Sequence, residues 1–199
     1  MDDTIEHLSS AWIEYLNKRH SKSVNREDVN DWNLSLFYPD LLPEEVYAPL
    51  DEDDFWKTVM PIDGASEKIQ KLINDGHDIY IVTSSSYKTL KSKMENVLFK
   101  YFETIDWNHV IVCYNKQMIK GDVLIDDGIH NLVGGDYAKI LMDAPYNRNI
   151  DDRLYGINRV YNWDEVYNLI TSLNDRKRCV GVTSNKKKMR NDIFTTEEF

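Results

Sequence analysis

The 199-residue chain is poor in the features that mark specialised protein classes. It holds two cysteines, Cys113 and Cys179, far apart and in no metal-ligand spacing, so neither a disulfide framework nor a cysteine metal site is expected. Eight glycines and five prolines exclude collagen-like and low-complexity chains. No apolar run approaches the roughly 20 residues that span a bilayer. The start, Met1-Asp2-Asp3-Thr4, is acidic where a secretory signal is basic and then apolar. A reduced, cytoplasmic setting without membrane attachment is the expectation. What is present is 42% hydrophobic and 29% charged residues, enough to bury a core in one domain or in a core with a small inserted subdomain.

The net charge of −10 is unevenly spread. From Arg176 onward seven basic residues stand against three acidic ones, and the preceding 175 residues carry 17 basic against 31 acidic. A body that negative repels nucleic-acid backbones, so no nucleic-acid partner is expected. A small anion can still be held locally by a cation or by backbone N–H groups.

Two textures follow one another. Up to about residue 60 the pattern is helical and aromatic, with no strand; Leu8, Trp12 and Tyr15-Leu16 predict a helix over 6–20, with shorter ones near 26–31 and 44–50. From Gly64 onward helices alternate with apolar strands. Helices are expected at 65–75, 87–102 and 163–173, and strands at 79–82, 110–113, 123–125, 140–142 and 159–161. Continuous apolar strands between helices indicate a parallel sheet covered on both faces, an α/β fold. The stretch 174–199 lacks apolar periodicity and reads as a basic, flexible tail.

In such sheets ligands bind beyond the carboxyl ends of the strands. The strand ending at Val82 runs into Thr83-Ser84-Ser85-Ser86 and then a helix, which suits either phosphate binding or simple helix capping. The strand ending at Ile125 runs into Asp126-Asp127-Gly128, either a solvated turn or an oxygen site for Mg²⁺. Lys116 and Lys120 follow the strand between them, as surface lysines or as partners of a phosphate. Asp2 and Asp3 precede the first helix, where they either favour its N-terminus or join the same site. Together these groups form a coherent set for phosphoryl transfer.

With these motifs in order, the chain resembles the haloacid-dehalogenase-like phosphatases and, within them, the 5′(3′)-deoxyribonucleotidase family in its bacterial and phage form. The resemblance covers most of residues 1–173. It includes Asp31-Trp32, Phe55-Trp56, the stretch 78–86, Asn115-Lys116 through Gly128, Asp143 to Arg148, and Asn162-Trp163-Asp164. It implies a Rossmann-like core formed by residues 1–14 and 61–173, with a helical cap at 15–60. It also implies Mg²⁺-dependent dephosphorylation of nucleoside monophosphates, dUMP and dTMP first, through an aspartyl-phosphate.

By resemblance, Asp2 is the acid/base and lends its backbone carbonyl to Mg²⁺, and Thr83 with Ser84 receives the phosphoryl group. Lys116 offsets charge, Asp127 binds the metal with Asp126 in support, and Phe55 and Trp56 surround the base. Tyr114 stands where some members carry a phosphate-contacting arginine. The motif's register puts the nucleophilic aspartate one residue before Met1, and the natural polypeptide is expected to start upstream. Two rivals stand beside this reading: a phosphatase for another small phosphate ester, and a non-catalytic nucleotide- or metal-binding remnant. A homodimer is left open.

Overall fold

Leu8, Trp12 and Leu16 recur at helical spacing and seat α1 (Leu8–His20) with Ala11, Trp12, Ile13 and Leu16 buried. The computed structural model of the protein describes residues 1–179, with 174–179 by backbone alone. After α1 come 3₁₀ turns at Arg26–Asp28 and Leu34–Phe37, then α2 (Pro43–Tyr47), a further turn at Ala48–Asp51, and α3 (Asp53–Trp56). Pro43 sits at the first turn of α2, where its missing N–H costs nothing. The region expected as a cap thus contains short helices and no strand.

Gly64, at φ +76°, opens α4 (Ala65–Asn74), and Gly76, at φ +91°, turns the chain after it. Strand β1 (Ile81–Thr83) leads into α5 (Tyr87–Lys93), which continues through a π-helical segment at Met94–Leu98 into α6 (Phe99–Tyr101). Then follow β2 (Val110–Val112), β3 (Val123–Asp126), α7 (Ile129–Leu132), β4 (Ala138–Met142), β5 (Ile157–Val160) and α8 (Trp163–Cys179). Helix α8 runs past its expected end at Leu173. The tail expected from 174 otherwise lies outside the described residues.

Every strand pair is parallel. β1 pairs with β2 in the register Ile81–Val110, and β4 lies between β3 and β5, with Ile125 opposite Ile140 and Met142 opposite Val160. The α/β class with helix-flanked parallel strands holds, but the strands form two sheets rather than one. The chain's first residues explain this. They fold as a turn with single-residue bridges, Asp2 to Glu6 and Glu6 to Pro61, and supply no strand to join β1 to β3.

Leu132, Leu141 and Ile157 pack as a buried cluster with Leu124 and Ile129 against it. One compact unit spans Met1–Tyr167; a second begins at Asn168, and its described part is the remainder of α8. No helix among the described residues is long and apolar enough to cross a membrane.

Candidate active site

The first six residues form a tight turn in which the N–H groups of Thr4 and Ile5 donate to the Met1 carbonyl, at 3.2 and 3.0 Å. Asp3 adopts φ +43°, a left-handed conformation that Asp tolerates better than most residues because its short side chain bonds locally. Its Oδ1 accepts from the N–H (3.1 Å) and hydroxyl (2.9 Å) of Ser9, satisfying an orphan donor in the first turn of α1. Asp3 therefore does act at a helix N-terminus, while Asp2 turns elsewhere.

The Asp2 carboxylate is paired with the Nζ of Lys93, the last residue of α5. The same Nζ donates to Thr83 Oγ1 at 3.3 Å and lies 3.6 Å from Glu6 Oε1. Burial alone would raise the Asp2 carboxyl, but the Lys93 charge and hydrogen bonds hold it well below the carboxylate range. For Glu6, burial prevails despite Lys93, with Asp2 adding to it, and the carboxyl rises to about 8.

A second group forms beyond β3. Asp126, the last residue of that strand, accepts from Lys116 Nζ at 2.6 Å, the Gly128 N–H at 2.9 Å and the Asn131 amide at 2.8 Å. The next residue, Asp127, accepts from the Tyr146 hydroxyl at 2.5 Å and the Thr4 hydroxyl at 3.3 Å. Tyr146 also reaches Asp3 Oδ2, at 3.2 Å. Burial, followed by the charges of Asp126 and Asp3, pushes the Asp127 carboxyl up to about 8. Burial and the same acids, Asp3 and Asp127, raise the Tyr146 phenol far above its ordinary value, so it is a donor at any working pH.

Thr4 joins the two groups, because its hydroxyl contacts both the Asp2 carbonyl (3.1 Å) and Asp127. One unbroken series of contacts thus runs Thr83, Lys93, Asp2, Thr4, Asp127. Asp126, adjacent in the chain, carries it on to Lys116. Residues brought from sequence positions 2, 83, 116 and 126–127 share one corner of the molecule.

Beside this corner opens a cavity of about 570 Å³, bordered by Asp2, Ser84, Lys93, Trp56, Trp32 and Tyr146 among others. Thr83, Lys116, Asp126 and Asp127 are buried and lie outside its walls. Phe55 departs from its expected place. It is fully buried behind the wall, edge-on to Trp56 at 5.3 Å and to Tyr15 at 5.5 Å, so it supports the aromatic wall instead of forming it. Trp32, flagged only as part of the resemblance, does border the cavity, edge-on to Tyr146 at 5.0 Å.

The donor chemistry suits a hard divalent cation: oxygens only, with an acid, Asp127, that burial first and its acidic neighbours second keep protonated until a cation offsets its charge. Asp126 is tied to Lys116, Gly128 and Asn131, whereas the Asp127 carboxyl and the Asp2 carbonyl accept from the Thr4 and Tyr146 hydroxyls, which a cation would have to displace to use these oxygens. Among the described residues, no three or more His, Cys, Asp or Glu side chains are grouped to hold a metal by themselves. The sequence motifs missed Lys93 and Glu6, and Tyr146 stood only within the resembling stretch 143–148 with no role attached. Lys93 lies in a helix with no motif spacing, and its apolar neighbours Met94, Val97 and Leu98 were the only signal that this helix face is buried.

The family model described as 5′ nucleotidase, deoxy (pyrimidine), cytosolic type C protein matches residues 1–178. The chain is 36% identical over 168 residues to the 5′(3′)-deoxyribonucleotidase of Bacillus subtilis strain 168, covering 83% of this chain and 92% of the relative; the Bacillus phage SPbeta protein of the same name gives the same figures. A 5′(3′)-deoxyribonucleotidase from Clostridium acetobutylicum is 29% identical over 178 residues, covering 88% of this chain and 94% of that protein. Among solved structures, a hydrolase from Pseudomonas syringae superposes with a TM-score of 0.45 at 16% identity, covering 87% of this chain and 94% of that one.

Proposed function

The chain belongs to the family of 5′ nucleotidase, deoxy (pyrimidine), cytosolic type C proteins, whose named relatives are phosphoric monoester hydrolases, and from that premise we propose that it takes nucleoside monophosphates, deoxyribonucleotides first, and releases phosphate. The observation that carries this reading is the unbroken series of contacts from Thr83 to Lys116 beside a cavity with aromatic walls. A phosphate and a flat, apolar base are the two halves of a nucleotide, and the two kinds of wall match them.

In this reading the phosphate enters beside Ser84, with the Thr83 hydroxyl below it. Asp2, which has to take up a proton from solvent before it can act as the acid, passes it to the leaving oxygen of the nucleoside and then accepts a proton from the water that follows. Ionised by its pairing with Lys93, it stands ready for the second of these roles. Asp127 and the Asp2 carbonyl would hold Mg²⁺, which when bound supplies charge stabilisation for the phosphoryl group. Asp126 orients its neighbour and is itself neutralised by Lys116. Trp56 and Trp32 offer faces and edges to the base.

The test is a phosphate-release panel of deoxy- and ribonucleoside monophosphates and unrelated small phosphate esters, with Mg²⁺ or with chelator. It is run on the chain starting at Met1 and on a version extended by an apolar strand ending in Asp. Mg²⁺-dependent turnover of deoxynucleotides by the extended version, and almost none by the shorter one, is expected. Equal turnover of sugar phosphates and nucleotides would overturn the substrate class, and equal rates for the two versions would overturn the register.

A further inference from the structure

Lys93 answers to no motif, yet it occupies a demanding position. It is buried to within 1% of full burial while still bordering the cavity. Removing an ammonium from water costs several kcal/mol unless its donors find partners. Here Nζ meets the Asp2 carboxylate, Thr83 Oγ1 at 3.3 Å and Glu6 Oε1 at 3.6 Å, and it lies 5.4 Å from the centre of the Trp56 ring. These partners come from the first turn of the chain, from the end of β1 and from α3, so a single amine ties three segments at the cavity wall. The helix departs from α geometry directly after Lys93, with the π segment Met94–Leu98, a distortion that recurs beside functional residues. Lys116, by contrast, is committed to Asp126 at 2.6 Å and borders no part of the cavity.

We infer that Lys93 is a positioning residue of this site: it holds the Asp2 carboxylate at the cavity wall, anchored to the Thr83 hydroxyl behind it, and sets there the positive charge that an incoming phosphate group meets. The inference rests on the nucleoside monophosphate reading. It assigns the phosphate-facing cation to α5, leaving Lys116 to neutralise Asp126.

Binding, which needs no turnover, tests it. Calorimetry with Mg²⁺ present compares deoxyuridine monophosphate, inorganic phosphate and deoxyuridine on the unmodified chain and on Lys93→Met and Lys93→Arg. Lys93→Met keeps the aliphatic stem against Trp56 and should weaken both phosphate-bearing ligands about tenfold or more. Deoxyuridine affinity should stay within about twofold, the change expected where a lost charge is remote from an apolar contact. Lys93→Arg, which keeps the charge, should recover part of the loss, and Lys93→Gln gives the same comparison if the Met variant does not fold. A parallel fall for deoxyuridine would make Lys93 merely structural and overturn the inference, as would unchanged nucleotide affinity or equal losses in the Met and Arg variants. If the unmodified chain bound neither the nucleotide nor phosphate, the functional reading itself would fail.

Discussion

Tyr146 donates its hydroxyl to Asp127 Oδ2 at 2.5 Å and reaches Asp3 Oδ2 at 3.2 Å, so one phenol stands between two buried acids. With the phenol's own ionisation pushed far up, the group remains a donor toward these acids.

Tyr146→Phe removes that donor and little volume. Two buried carboxyl groups lose a partner, and the unfolding free energy in urea should fall by about 1–3 kcal/mol. The Asp127 carboxyl, which the phenol's hydrogen bond lowers, should titrate higher still in a carboxyl-labelled NMR experiment. An unchanged titration would mean that the phenol does not act on Asp127.

Asp127 stands at about 8 against an ordinary 3.8, and Glu6 at about 8 against 4.5. Between those limits each takes up a proton on folding. Their contribution to stability is full below the ordinary values and is lost as pH rises through about 8. Asp2, shifted the other way, acts only below its ordinary 3.8, outside this window. The thermal midpoint without divalent cation should therefore decline from about pH 5 to about pH 8. Added Mg²⁺, proposed to bind ionised Asp127, should raise the midpoint more at the upper end. A flat profile, or a Mg²⁺ effect independent of pH, would contradict this.

Lys116→Met leaves Asp126 a buried carboxylate supported only by the Gly128 N–H and the Asn131 amide. Breaking a buried pair on one side costs about 3–5 kcal/mol, and Lys116→Met with Asp126→Asn should restore much of it. Denaturant unfolding of the two single variants and the double variant measures the coupling. In the phosphate-release assay, Lys116→Ala leaving the rate within a few-fold would remove this lysine from the proposed chemistry.

Phe55 and Trp32 should separate cleanly. Phe55→Ala excavates the packing behind Trp56 and should cost about 3–5 kcal/mol of stability. Trp32 is 55% exposed, so Trp32→Ala should change stability by about 1 kcal/mol or less. If its ring meets the base, it should nonetheless weaken deoxyuridine binding by about 1–3 kcal/mol. Equal nucleoside affinity in the Trp32 variant would remove Trp32 from the base-binding wall.

Much of the architecture could be read along the chain. Each strand expected from Ile79 onward formed within two residues of its expected limits, because short runs of mostly apolar residues between helices have few other ways to be buried. Short elements were harder to foresee. Neither α3 nor α7 is long enough to show a helical period, and each is seated by its neighbours. The division into two sheets depends on the turn that Met1 to Glu6 adopts, and no periodicity in six residues foretells it.

The site divides in the same way. Asp2, Thr83, Lys116, Asp126 and Asp127 could be named from sequence because strand ends and motif spacing single them out. Lys93 and Glu6 could not, since a lysine or a glutamate outside any motif looks like a surface residue until packing surrounds it, and Tyr146, though inside the resembling stretch 143–148, received its role only from its contacts. Sequence by itself determined the strand–helix order, the acidic body and the polar residues at the strand ends, because these follow from local composition and period. Only the tertiary structure decided which acid faces which cation, and that Phe55 stands behind Trp56, because burial and pairing depend on segments tens of residues apart meeting in space.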